Sequence, residues 1–166
     1  LAALGVLCSI IGTFFVRTKE GASQKQLLRA LSKGTNLSAI LIAVISFPLV
    51  WFILGKDNYH LYFAILAGLI SGVLIGQSTE YYTSDSYKPT QNLAKTSETG
   101  SATIIISGLS VGMLSTLIPI VIVSICVLVS YFVSGGQTSP SMGLYGIALA
   151  AVGMLSTLGI TLATDA

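Results

Sequence analysis

Five apolar stretches alternate with polar ones along the chain: Leu1–Val16, Leu37–Gly55, Leu61–Gln77, Ala102–Val133 and Met142–Ala163. Each is continuously apolar, without the in-and-out alternation that a membrane β-barrel strand requires, so helices are expected. A helix needs about 17–25 apolar residues to cross the hydrocarbon core. The second, third and fifth stretches fit that window, and the first fits if its helix begins upstream of Leu1. The fourth would reach about 48 Å at about 1.5 Å per residue, longer than the core is thick, so it tilts or projects past the bilayer. The pattern predicts an all-α polytopic membrane protein, with five transmembrane helices of a larger helical bundle. These form a single partial membrane domain over 1–166, with spans at about 1–16, 37–55, 61–77, 102–133 and 142–166.

Composition narrows this picture. Of the 166 residues 53% are hydrophobic and only 8% charged, too few charges to coat a water-soluble domain. The mean hydropathy of +0.86 points the same way. Disorder, a nucleic-acid-binding domain and a disulfide-stapled secreted scaffold are excluded, and a lipid bilayer is the expected surroundings. The sequence opens on apolar residues without an initiator Met and is still largely apolar near Ala166. It is read as an internal piece whose partners include the remainder of the same polypeptide.

The net charge of +2 says little, but the placement of the charges says more. The segment 17–36 holds Arg17, Lys19, Lys25, Arg29 and Lys33, and 78–101 holds Lys88 and Lys95. Between them 56–60 holds only Lys56, and 134–141 holds none. Basic residues stay on the cytoplasmic side, so the loops 17–36 and 78–101 are expected there. The fifth span then runs inward and delivers Thr164 and Asp165 to that face. Lys25, Arg29 and Lys33 recur every four residues, with Leu27, Leu28 and Leu31 on another face and Ser23 as an N-cap candidate. This short basic amphipathic helix either sets topology or docks on anionic lipid.

Small residues carry the next signal. Gly68, Gly72 and Gly76 form a row on one face of the third helix, and Gly108 and Gly112 a second row in the fourth. Gly146, Ala150 and Gly153 continue the theme in the fifth. Helices in lipid associate through such close-packing faces, so these glycines are assigned to helix packing. The heptapeptide Val-Gly-Met-Leu-Ser-Thr-Leu occurs twice, at 111–117 and 152–158. Consecutive spans run in opposite directions, so the copies are not translational repeats. They reflect an inverted repeat, parallel packing demands or coincidence.

Polar groups at membrane depth are the default functional candidates. The hydroxyls of Ser107, Ser110, Ser115, Thr116, Ser156, Thr157, Thr161 and Thr164 can bond to carbonyls of their own helix and read as structural. Asp165 carries a full charge at the inner end of a small-residue helix. It binds an ion or metal–phosphate, or marks the helix exit. Cys8 and Cys126 read as buried small residues, and His60 as a solvated loop residue. Trp51, Tyr59, Tyr62 and Phe63 form an aromatic belt around the short loop 56–60, and Pro48 and Pro119 are expected to kink their helices. No metal-ligand or nucleophile–base spacing emerges, and no catalytic residue or metal ligand is assigned within the chain.

From residue 78 onward the sequence resembles a known family. Thr79-Glu80-Tyr81-Tyr82-Thr83-Ser84, Tyr87-Lys88-Pro89 and Thr99-Gly100-Ser101-Ala102-Thr103 are similar to blocks of the membrane-bound, ion-pumping inorganic pyrophosphatases. Gly108-Leu109-Ser110-Val111-Gly112-Met113 and the run from Leu144 through Thr157 to Ala166 follow in family order. Residues 1–77 are similar only in hydropathy and span arrangement. The resemblance implies a homodimeric pump coupling hydrolysis of pyrophosphate, taken with Mg2+, to export of H+ or Na+, with K+ as an additional cofactor. The membrane would be a bacterial inner membrane or that of an acidic organelle. The Asp- and Lys-rich substrate motifs of the family do not occur here, so this piece is expected to be inactive alone. Asp165 would lie just below the substrate cage or early in the ion path. A secondary transporter without phosphoryl chemistry is the alternative.

Overall fold

A computed structural model describes residues 1–17, 24–55, 58–158 and 160, and all regular structure among them is helical. Helices α1 (Ala2–Phe15), α2 (Gln24–Leu54), α3 (His60–Thr83), α4 (Lys88–Thr96), α5 (Ser101–Val133) and α6 (Pro140–Leu155) follow in order. A 3-10 turn at Ser97–Thr99 joins α4 to the residue before α5. Of the five expected spans, those built on α2, α3 and α5 are long and apolar enough to cross a membrane. Helices α1 and α6 are apolar but shorter, with 14 and 16 residues.

The helix ends differ from the apolar runs for local reasons. Helix α2 begins well ahead of Leu37, so the basic stretch and the apolar run form one continuous helix rather than two elements. Its Gln, Leu, Lys, Arg and Ala residues are good helix formers, and nothing between them interrupts the backbone ladder. The cap expected at Ser23 lies outside the described residues. At its far end α2 stops at Gly55, whose φ of +81° is the left-handed conformation that commonly closes a helix. The Asn58 side-chain amide donates to the Leu54 carbonyl at 2.9 Å, which satisfies one of the exposed terminal acceptors. Helix α4 occupies part of the expected loop 78–101. Pro89 in its first turn needs no backbone donor there, and Lys95 sits in its last turn beside the free carbonyls. Gly100, with φ 126° and ψ 164°, turns the chain from the 3-10 turn into α5, a conformation that a side chain would oppose. Helix α6 starts at Pro140 after extended Ser139 and gives way at Leu155 to a turn at Ser156 and Thr157. The fifth apolar stretch is thus interrupted where the sequence pattern expected one helix through Ala163.

The chain divides into two compact units, residues 1–73 with 125–166, and residues 74–124. The first contains the buried cluster Cys8, Ala39, Ile42 and Leu69, drawn from α1, α2 and α3. Helix α1 packs along α2, where the Ser38 hydroxyl, with no exposed surface, donates to the Cys8 carbonyl at 2.8 Å. The second unit is built around α4 and the adjoining stretches of α3 and α5. There the Thr90 hydroxyl donates to the Tyr82 carbonyl at 3.1 Å, and the Gln91 side chain to the Asp85 carbonyl at 3.1 Å.

Candidate functional site

Where α3 meets α6, small residues of the first unit lie against backbone. Gly68 of α3 lies against the Ala150 main chain of α6, so close that a methyl group there would overlap the Ala150 carbonyl. One turn further, a methyl on Gly72 would come within 3.1 Å of the Met154 carbonyl oxygen. In the reverse direction, a methyl on Gly153 would sit 2.6 Å from the Ile65 carbonyl oxygen. Gly68, Ala150 and Gly153 therefore form one seam between α3 and α6. Gly146 of α6 lies against the Ser134 side chain, and Gly143 against the Tyr131 ring. The remaining glycines assigned to packing have other surroundings. A methyl on Gly108 would meet only Leu93, at 3.9 Å, and one on Gly76 or Gly112 would meet nothing within 4 Å.

A second seam joins α1 to α2 and the end of α6, and sequence reasoning had not singled it out. A methyl on Gly5 would come within 2.7 Å of the Ser156 carbonyl, and one on Gly12 within 2.6 Å of the Ser38 hydroxyl. The signal was present as Gly5, Ser9 and Gly12 on one helix and Gly34 and Ser38 on the next, at spacings of three and four residues. Most serine and threonine hydroxyls along the helices are spent on backbone carbonyls. The buried Ser156 hydroxyl donates to the Val152 carbonyl at 2.7 Å and Ser46 to Ala43 at 3.0 Å. Ser115 and Thr116 likewise donate to Gly112 and Met113, at 2.7 and 2.9 Å. The hydroxyls of Ser9 and Ser134 are buried without a hydrogen-bond partner.

The segment that carried the family resemblance forms an aromatic corner in the second unit. Tyr81 packs on Tyr82 at 5.2 Å between ring centres and on Tyr87 at 5.3 Å. Ser84 closes the helix end by donating its amide to the Glu80 carbonyl at 2.9 Å. Thr99 and Thr103 share a hydrogen bond at 2.8 Å across Gly100. The corner has a packing and turn-forming character. The exposed Ser86 hydroxyl donates to the carboxylate of its neighbour Asp85 at 3.3 Å.

Among the described residues no three of His, Cys, Asp and Glu come together to hold a metal ion. The donor set that a magnesium–pyrophosphate complex demands, several oxygen ligands around each ion, does not fit what these residues offer. Asp165 lies outside the described residues. His60 begins α3 half-buried, with its ring edge-on to Tyr59 at 5.8 Å. Both cysteines are free thiols, Cys8 buried and Cys126 half-buried.

The described residues form long apolar helices packed through glycine, the character of a membrane-embedded helical bundle. The family model for inorganic H+ pyrophosphatase matches residues 1–166, and the chain belongs to that family. It is 54% identical to a protein of Bacteroides thetaiotaomicron provisionally named a K(+)-stimulated pyrophosphate-energized sodium pump, over 100% of this chain and 23% of the relative. A K(+)-insensitive pyrophosphate-energized proton pump of Methanosarcina mazei is 43% identical over 99% of this chain and 24% of its own length. A K(+)-stimulated pyrophosphate-energized sodium pump of Thermotoga maritima is 35% identical over 99% of this chain and 23% of its own length. The chain thus spans about a quarter of the length of the curated relatives it matches.

Proposed function

We propose that the protein of which this chain is part is a primary ion pump. It couples hydrolysis of inorganic pyrophosphate to translocation of H+ or Na+ across a membrane. The observation that carries this reading is the family match along all 166 residues, joined by relatives whose names specify pyrophosphate-energized pumping. Identity does not sort the two ions, since a sodium pump stands both above and below the proton pump at 43%.

In this reading residues 1–166 supply five consecutive spans of one membrane domain, with 17–36 and 78–101 on the cytoplasmic side. The apolar character of α1 and α6 supports adding them to the three longer helices. Pyrophosphate enters with Mg2+ and is held by parts of the whole protein beyond this chain, because the carboxylates described here are scattered. K+ stimulates turnover if the protein follows the sodium pumps named above. A second copy completes a homodimer, and the surrounding membrane is a bacterial inner membrane or that of an acidic organelle.

The chain's own contribution is mechanical. Gly68, Gly72, Gly76, Gly108 and Gly112 serve helix packing, the first two against α6 and the others against helices elsewhere in the bundle. The self-bonded hydroxyls of Ser115, Thr116 and Ser156 keep the helix interior polar-satisfied and leave ion handling to charged groups. Asp165 is assigned to the ion path or to the region just below the substrate.

Washed membranes containing the full-length protein test the reading. Magnesium-dependent release of phosphate from pyrophosphate is expected, accelerated by an ionophore for the pumped ion. Acidification of vesicles and uptake of radioactive sodium distinguish H+ from Na+. Membranes that neither hydrolyse pyrophosphate nor move either ion overturn the proposal. For the aspartate, Asp165→Asn is expected to lower pumping per pyrophosphate cleaved or to shift the magnesium requirement. Unchanged pumping and magnesium dependence would reduce Asp165 to a helix-end residue.

A further inference from the structure

Proline inside a helix removes one backbone donor and pushes its ring against the preceding turn, which makes that turn the natural place to bend. Pro48 occupies such a position in α2, six residues before the helix ends. Its missing N–H leaves the carbonyl of Val44 without the usual helical donor. The turn just ahead of it is gripped from outside. Tyr62, in the first turn of α3, donates its hydroxyl to the Ala43 carbonyl at 3.0 Å. The same ring meets Phe47 edge-on at 5.2 Å and 80°. One side chain therefore holds both Ala43, next to the orphaned carbonyl, and Phe47, next to the proline.

Beyond the proline Val50 is still buried, and exposure is greatest toward the tip, where Phe52 and Ile53 are 85% and 72% exposed. The arm ends at Gly55, in the left-handed conformation, with nothing within 4 Å of where its Cβ would stand. A donor-deficient turn, a clamped near side and an exposed tip closed by glycine together make a hinge. We propose that Tyr62 is the latch of this hinge. Its hydroxyl and ring clamp the 43–47 turn of α2 to α3, so that movement at Pro48 is confined to the arm 49–54.

Spin labels placed at Ile40 and Ile53, both exposed and on either side of Pro48, read the hinge directly in the full-length protein. The two positions stand about 20 Å apart along an unbroken helix. Tyr62→Phe keeps the ring and removes the tie. It is expected to raise the population of displaced-arm distances about fivefold, the worth of one neutral hydrogen bond. Pro48→Ala added to Tyr62→Phe should restore the single narrow distribution by returning the backbone donor. Ser46→Ala removes the other hydroxyl on Ala43, at 3.0 Å, but this group belongs to α2 itself and cannot tie α3. That variant should leave the distribution unchanged. A Tyr62→Phe distribution identical to that of the unmodified protein overturns the latch. So does broadening that persists when Pro48 is replaced, or that Ser46→Ala reproduces in full.

Discussion

The same seven residues, Val-Gly-Met-Leu-Ser-Thr-Leu, stand at 111–117 and at 152–158 in opposite circumstances. In the first copy they lie in the interior of α5, and only Val111 and Ser115 are even half-buried. In the second they carry the end of α6 and the turn after it, and Gly153, Ser156 and Thr157 are buried. Gly112 faces open space, whereas Gly153 abuts the Ile65 carbonyl. Met113 is 69% exposed, while its counterpart Met154 touches Gly72. Even the serine changes acceptor, from the carbonyl three residues back at Ser115 to the one four back at Ser156. Local sequence sets neither the end of the helix nor the partner. Neighbouring helices do, because small residues are permissive and acquire a role only where another backbone approaches.

The sharpest way to break this comparison is to add the same methyl group to both copies. Gly153→Ala should cost about 1–3 kcal/mol of stability, since the intruding carbon meets rigid backbone with no side chain to rotate away. Gly112→Ala should be neutral or stabilising by about 0.5–1 kcal/mol, the helix-propensity gain at an unobstructed site. Thermal unfolding of the purified full-length protein in detergent measures both. Equal damage would mean that the α5 face is covered in the whole protein as tightly as the α6 face. Gly68→Ala extends the test along the same seam and should match or exceed Gly153→Ala, since its added carbon would overlap Ala150.

A smaller contrast is expected at the methionines. Cysteine placed at Met113 should react with a membrane-soluble maleimide several times faster than cysteine at Met154, following their exposure. Comparable rates would erase the difference between the copies. The least effect belongs to the serines. Ser156→Ala should cost about 0.5–1 kcal/mol, because it empties a buried position, and Ser115→Ala should be within about 0.5 kcal/mol of zero. A reversed order would show that the hydroxyl–carbonyl bond on α5 serves more than its own helix.

Much of the helical plan could be read from apolar runs. The stretch Ala102–Val133 emerges as α5 over Ser101–Val133, and Leu61–Gln77 lies within α3. Polar helix was harder to see, because apolar runs mark membrane depth and not the hydrogen-bond ladder. Lys88–Thr96 of α4 is helical without being apolar enough to announce it, whereas the spacing of Lys25, Arg29 and Lys33 marked a short helix but not its fusion with the apolar run in α2. The family was legible from short ordered blocks after residue 78, where turn residues and aromatics make a distinctive text. Partners were not legible at all. Gly68 and Gly76 share a row, yet one meets Ala150 and the other nothing within 4 Å, since a row of glycines does not specify what arrives. The tie from Tyr62 to Ala43 was equally hidden, because a tyrosine near a loop satisfies the rule for an aromatic belt just as well.

The seam of Gly68, Ala150 and Gly153 has a mechanical consequence. Where leucines interdigitate, rotamers can adjust and absorb a displacement, so motion fades with distance. Glycine and alanine have no rotamers to adjust, and main chain resting on main chain leaves no slack. A push along α6 reaches the Ile65–Gly72 stretch of α3 undiminished, as between two teeth in mesh, and the pair either moves together or disengages.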